Sequence, residues 1–215
     1  IFIHKQKKNR LRNKKMKLKN LFKILLLVGF IITSANALKQ DEIQVIMTKK
    51  IDNVLSILEQ KSLPINKKGE QIIKIIDEVF DYELMARIAL GKETWDTLNE
   101  QKQKEFTKIF ETKLKNSYIE KLELYNDQKV KILGLNPYKN ARLQLETELL
   151  GKEGTYKINY NFYNKSKDNI EQWLIYDVDL VGVSIIQTYR QQFAGLLKEK
   201  TFDEMLTLLE NSNTK

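Results

Sequence analysis

The sequence predicts an α+β fold in which helices stack on one side of a twisted antiparallel sheet. Three observations predict it. Between residues 41 and 125, apolar side chains recur at helical spacing. Between residues 130 and 181, they alternate with polar ones in four short runs separated by turn residues. The last of these runs, WLIYDVDLV at 173–181, is apolar at almost every position, as suits a strand packed on both faces. It passes through Gly182 into a helix with Ile185, Tyr189, Phe193, Leu196 and Leu197 on one face.

In chain order, residues 1–37 stand apart from this pattern. Met16 is the expected true start, followed by Lys17, Lys19 and Lys23, the apolar run 24–32 and Ser34-Ala35-Asn36-Ala37. A basic region, an apolar stretch of about 7–15 residues and an A-x-A site together predict a secretory signal peptide cleaved after Ala37. The run falls short of the roughly 20 residues that span a bilayer as a helix. No Cys follows it, so lipoprotein anchoring is not expected. The expected mature part is one domain over 38–215.

Removing the leader changes the charge argument. The chain has 37 Lys and Arg against 28 Asp and Glu, net +9. Ten of the basic residues and none of the acidic ones fall in 1–37, which leaves 27 against 28 and a net charge of −1. The excess that suggests nucleic acid or an anionic membrane therefore belongs to the leader. The chain has no Cys, and His4 is its only His. The mature part lacks the residues for a Ser-His-Asp or Cys-His nucleophile, a His/Cys zinc site or a disulfide, and neither metal nor cofactor is expected.

The helical part reads as four helices. Residues 41–60 carry Ile43, Ile46, Met47, Ile51, Val54, Leu55 and Leu58 on one side and stop at Leu63-Pro64. A second helix is expected over 67–80. Asp81 caps a short third one, YELMARIAL, closed by Gly91, and Asn99 caps a long fourth reaching Tyr125. The fourth carries Phe106, Ile109, Phe110, Leu114, Tyr118 and Leu122 on one stripe, with Lys113 and Lys115 expected on the opposite side.

In the β part, turns are expected at Asn136-Pro137, 151–154 and 164–169. After the last strand, Ser184 with Gln187, and later Thr201 with Glu204, form capping boxes. Val183 is expected to face the interior between strand and helix.

Several residues invite a chemical reading. Asp177 and Asp179 share a strand face and suit acid–base work, or else hydrogen-bond neighbouring backbone. Arg87 and Arg190 suit a phosphate or carboxylate, or else a structural ion pair. The tyrosines, Tyr118, Tyr156, Tyr160, Tyr176 and Tyr189, line either a cavity or an ordinary core. Periodicity does not separate the two.

FDYELMARIALG at 80–91, NSYIEKLELY at 116–125 and YDVDLVGVSIIQTYRQQF at 176–193 resemble the toluene-tolerance or Mla family of periplasmic phospholipid-binding proteins. The resemblance implies a strongly curved, cone-like sheet of four or slightly more strands, similar to nuclear-transport-factor-like folds, with a lipid cleft between sheet and helices. It implies a monomeric periplasmic carrier, with no enzymatic step, that moves phospholipid between outer and inner membranes and maintains outer-membrane lipid asymmetry. The implied partners are phospholipid, an inner-membrane ABC transporter complex with an MCE-domain subunit, and an outer-membrane lipoprotein complex.

Combined with the alternation, this places Phe110, Leu114, Tyr118, Leu145, Ile158, Tyr160, Phe162, Tyr176, Val178, Val183, Ile186 and Tyr189 in the cleft, with Arg87 and Arg190 toward a headgroup or partner. The competing enzyme reading is an isomerase or dehydratase of a cone-shaped fold, using Asp177 with Tyr160 or Tyr176. A periplasmic adaptor with an apolar groove is a third reading.

Overall fold

The computed structural model describes residues 38–139, 141–166 and 170–213; the expected leader, its cleavage site and part of the 164–169 turn lie outside the described residues. A 3₁₀ turn, Gln40–Glu42, leads into α1 (Ile43–Glu59). It is followed by α2 (Ile65–Ile76), α3 (Tyr82–Leu90), the short α4 (Lys92–Thr97) and α5 (Glu100–Ile119). A 3₁₀ segment, Glu120–Leu124, continues α5. The sheet consists of β1 (Lys129–Tyr138), β2 (Arg142–Gly151), β3 (Gly154–Asn164), β4 (Trp173–Leu180) and a two-residue β5 (Val183–Ser184). The chain closes with α6 (Ile185–Leu196) and α7 (Phe202–Asn213). The five strands are antiparallel and lie in chain order.

The caps read from the sequence form. The Asp81 carboxylate accepts the Leu84 amide at 3.0 Å, and Asn99 accepts the Lys102 amide at 2.9 Å. The Thr201–Glu204 box is reciprocal, at 2.8 and 3.3 Å. At Ser184 only the serine half forms: its oxygen accepts the Gln187 amide at 3.0 Å while its hydroxyl donates to Asp177.

Three boundaries differ from expectation. The second helix stops at Ile76, because Val79 and Asp81 exchange backbone hydrogen bonds with Ile175 of β4 at 2.8 and 2.9 Å. The long helix tightens into 3₁₀ after Ile119. Asn136-Pro137 is not a turn: both residues lie in β1, opposite Gln144 and Leu143. Proline lacks an N–H, and β1 is an edge strand where that donor is dispensable. The chain reverses later, where Ala141 has φ 53°.

β4 is the strand most enclosed by its neighbours. β3 covers one edge and β5 covers the end of the other. Along the rest of that second edge, Trp173 donates its amide to the Leu38 carbonyl at 2.8 Å, beside the bonds between 79–81 and Ile175. Residues 173–178 are all buried as a result. Bulges interrupt the register at Ile132/Gly134 in β1 and opposite Asn161/Phe162 in β4; each bends its strand.

Apolar residues gather in three clusters. One joins α3, α5, α6 and α7 around Phe106, Phe110 and Phe193. Another joins α1 to the sheet through Ile43, Met47, Leu145, Phe162 and Ile175. A smaller one joins α1 and α2 through Ile57, Leu58 and Ile72.

Candidate functional site

Where the three clusters meet, the packing leaves a cleft of about 460 Å³, within the range of small-molecule sites. Its helical wall comes from α1 (Met47, Ile51, Val54, Leu55), from α2 and the residues after it (Ile72, Ile75, Ile76, Val79, Phe80), and from α5 (Leu114, Tyr118). Its floor is the apolar face of the sheet. Antiparallel register sets Leu149 opposite Val130, Tyr160 opposite Val178, and Ile158 opposite Leu180, and all six line the cleft. Among the described residues, 22 line the cleft: 16 are apolar, three are tyrosines, three are lysines and none is acidic.

Ion pairs hold α2 across the cleft. Lys50 of α1 donates to the Ile75 carbonyl at 3.1 Å and to Glu78 at 2.6 Å. Lys115 of α5 bridges Asp77 at 2.8 Å and Glu111 at 2.6 Å, with its ammonium 4.7 Å from the centre of the Tyr82 ring. At the other end of α2, Gly69 brings the helix so close to α5 that an added Cβ would sit 3.0 Å from the Ile119 side chain. The opposite-side expectation for Lys115 is therefore corrected: its ammonium follows the carboxylates of Asp77 and Glu111 to the cleft's edge.

The tyrosines bring no charge. Burial pushes the Tyr160 hydroxyl up to about 12. Burial, then neighbouring Tyr189, Asp177 and Tyr160, pushes Tyr118 up as well. Burial raises Tyr82, and its hydrogen bond to Asp77 adds to the shift.

Leu114, Tyr118, Ile158, Tyr160 and Val178, expected in the cleft from the sequence, line it. The other seven lie elsewhere. Leu145 and Phe162 are fully buried in the core between sheet and α1, with no surface left for a cavity. Phe110 and Ile186 are buried among the helices, with Tyr189 packed beside them. Tyr176 turns toward Arg142, whose guanidinium lies 4.4 Å from its ring centre. Val183 is 60 % exposed. The turn at Val181-Gly182 folds the chain back as β5, so Val183 pairs with Leu180 at the sheet's edge instead of facing the interior.

Arg87 and Arg190 are exposed on α3 and α6, away from the cleft lining, and form no ion pair among the described residues. Sequence reasoning missed the contribution of α1 and α2, although their apolar stripes are plain, because a stripe over a cavity and a stripe over a core have the same period.

The acid–base pair of the enzyme reading is not assembled. Asp177 lies opposite Asn161 and Tyr160 opposite Val178, so strand alternation sends them to opposite faces of the sheet. The Asp177 carboxylate accepts the Ser184 hydroxyl at 2.6 Å and the Ile186 amide at 3.2 Å. Burial nonetheless holds its pKa above the usual carboxylate range. Tyr176 immediately precedes Asp177 in the strand but is occupied by Arg142. Among the described residues, no group of three or more His, Cys, Asp or Glu is placed to hold a metal, and no helix is long and apolar enough to cross a membrane.

Known proteins resemble the chain over most of its length. The intermembrane phospholipid transport system binding protein MlaC of Haemophilus influenzae is 24 % identical over 208 residues, covering 92 % of this chain and 94 % of the relative. The fold matches the solved structure of a phospholipid-binding protein from Ralstonia solanacearum in complex with a phospholipid. The TM-score is 0.67 and the identity 18 %, over 80 % of this chain and 96 % of that one. The family model described as MlaC protein matches residues 48–211, from within α1 to the last turn of α7, and the chain belongs to that family.

Proposed function

We propose that the protein is a phospholipid carrier that holds acyl chains in the cleft between α1, α2, α5 and the sheet. The observation that carries this reading is the cleft's lining, mostly apolar and, among the described residues, free of carboxylates, around a cavity of about 460 Å³. The Haemophilus relative's transport role and the phospholipid in the Ralstonia structure support it. No chemical step is required. At about 0.8 kcal/mol per buried CH₂, two chains of roughly 15 methylenes represent about 24 kcal/mol of transfer from water. A free lipid does not leave a bilayer at that cost, but it enters an apolar cleft that matches the bilayer within a few kcal/mol.

Such a carrier has no driving force of its own, so direction comes from partners. The reading includes export by the leader in 16–37, work as a soluble periplasmic monomer, and exchange with an inner-membrane ABC transporter complex and an outer-membrane lipoprotein complex to maintain outer-membrane asymmetry. The test is solvent extraction of the purified protein followed by mass spectrometry. Stoichiometric phospholipid is the expected result; a lipid-free protein that takes up none from vesicles overturns the reading.

A further inference from the structure

The charges in the cleft are all of one sign, yet they are not equivalent. Lys50 is neutralised by Glu78, and Lys115 by Asp77 and Glu111. Both brace α2 against its neighbours, and neither is free to meet a ligand. Lys121 differs. It sits on the 3₁₀ segment Glu120–Leu124, is exposed, and lines the cleft beside Leu122. Among the described residues its ammonium has neither ion pair nor hydrogen bond.

The apolar lining residues Val54, Leu122, Val130, Leu149 and Leu180 offer no counter-charge, so among the described lining residues Lys121 is the unpaired cation for an anion drawn to the cleft. A diacyl phospholipid carries its phosphodiester where the two acyl chains end. With the chains in the cleft, that group emerges at the rim. The local dielectric beside an apolar wall is lower than in bulk water, which strengthens a single ion pair there.

We infer that Lys121 is the phosphate anchor of the cleft: its ammonium pairs with the phosphodiester of the lipid held there, so the cleft prefers phospholipid over neutral diacylglycerol with the same chains. This rests on the carrier reading above. An exposed ion pair of this kind changes relative affinity by about threefold to fivefold and weakens as salt rises.

The experiment loads lipid-free protein from vesicles containing equal amounts of phosphatidylglycerol and diacylglycerol with identical acyl chains. Bound lipids are counted by mass spectrometry, and circular dichroism monitors the fold. Wild type and Lys121→Arg favour the phospholipid. Lys121→Gln lowers the phospholipid-to-diacylglycerol ratio about threefold to fivefold, and Lys121→Glu lowers it further. Raising the salt brings wild type toward the Lys121→Gln ratio. A Lys121→Gln ratio equal to that of wild type overturns the assignment. Inorganic phosphate alone should not bind detectably by calorimetry. Phosphate binding that disappears in Lys121→Gln while the lipid ratio stays fixed would make the anion a free one and overturn the lipid assignment. Wild-type protein that takes up neither lipid overturns the carrier reading itself.

Discussion

Ser184 donates its hydroxyl to the Asp177 carboxylate at 2.6 Å and, with the same oxygen, accepts the Gln187 amide at 3.0 Å, so one side chain joins β4 to the start of α6. Asp177 is buried, with its pKa pushed up by that burial. Ser184→Ala removes the helix cap and leaves the carboxylate one partner short. We expect a loss of about 2 kcal/mol in denaturant unfolding, with lipid content unchanged because neither residue lines the cleft. A loss of only a few tenths would mean that the joint is held by packing alone.

Exposure separates Val183 from the cleft wall. Val183→Glu adds a charge at a position that is 60 % exposed, and stability should change by no more than about 0.5 kcal/mol with lipid retained. Ile75→Glu aims a carboxylate into the cleft from α2. It should reduce co-purified lipid by about tenfold or more while the helical dichroism persists. A matching change at exposed Thr112 on α5 serves as the control. Equal lipid in all three variants would place the ligand elsewhere.

The β4–β5 hairpin carries a strained residue. Val181 has φ 53° and Gly182 φ 83°, the pair of positive angles that a two-residue type I′ turn demands. Glycine tolerates this, but a β-branched valine does so at a cost of about 1–2 kcal/mol. Val181→Asn should raise stability by about 1 kcal/mol, read as a shift in the denaturation midpoint at constant slope. A variant less stable than wild type would show that the exposed valine makes a contact worth more than the strain.

Asp81 gives the fold an acid-sensitive anchor. Burial alone would raise its pKa, but hydrogen bonds from Lys165, Tyr163 and the Leu84 amide outweigh burial and hold it below the ordinary value of 3.8. A carboxylate whose folded pKa is depressed contributes stability above its unfolded pKa and loses it as pH falls through the folded value. Asp81→Asn should therefore cost about 2 kcal/mol at neutral pH. The gap from wild type should narrow below about pH 4. A gap that stays constant from pH 7 to pH 3 would assign the loss to shape instead of charge.

The 3.6-residue period of 43–58 and the two-residue period of 142–162 determined helices and strands, because each burial pattern suits one backbone geometry. Asp81, Asn99 and Thr201 marked helix starts through hydrogen bonds that close within three residues. The continuous apolar run of β4 likewise announced burial on both faces. These features are local, or depend only on which face is apolar, and the sequence by itself determined them, together with the family resemblance carried by its three blocks.

Long-range packing decided the rest. Only the tertiary structure shows that Leu145 and Phe162 are sealed against α1 while Ile158 and Tyr160, on the same face of the same sheet, are left facing a cavity. Alternation assigns all four alike; the difference depends on where α1 and α2 stop covering the floor. The same applies to the lysines. Lys50, Lys115 and Lys121 look equivalent in sequence, yet carboxylates brought in from α5 and from the residues just after α2 neutralise two of them and leave the third unpaired among the described residues. An ion pair between residues 38 positions apart, such as Asp77 with Lys115, has no signature in spacing, because the distance that matters is set by how helices cross and not by the number of residues between them.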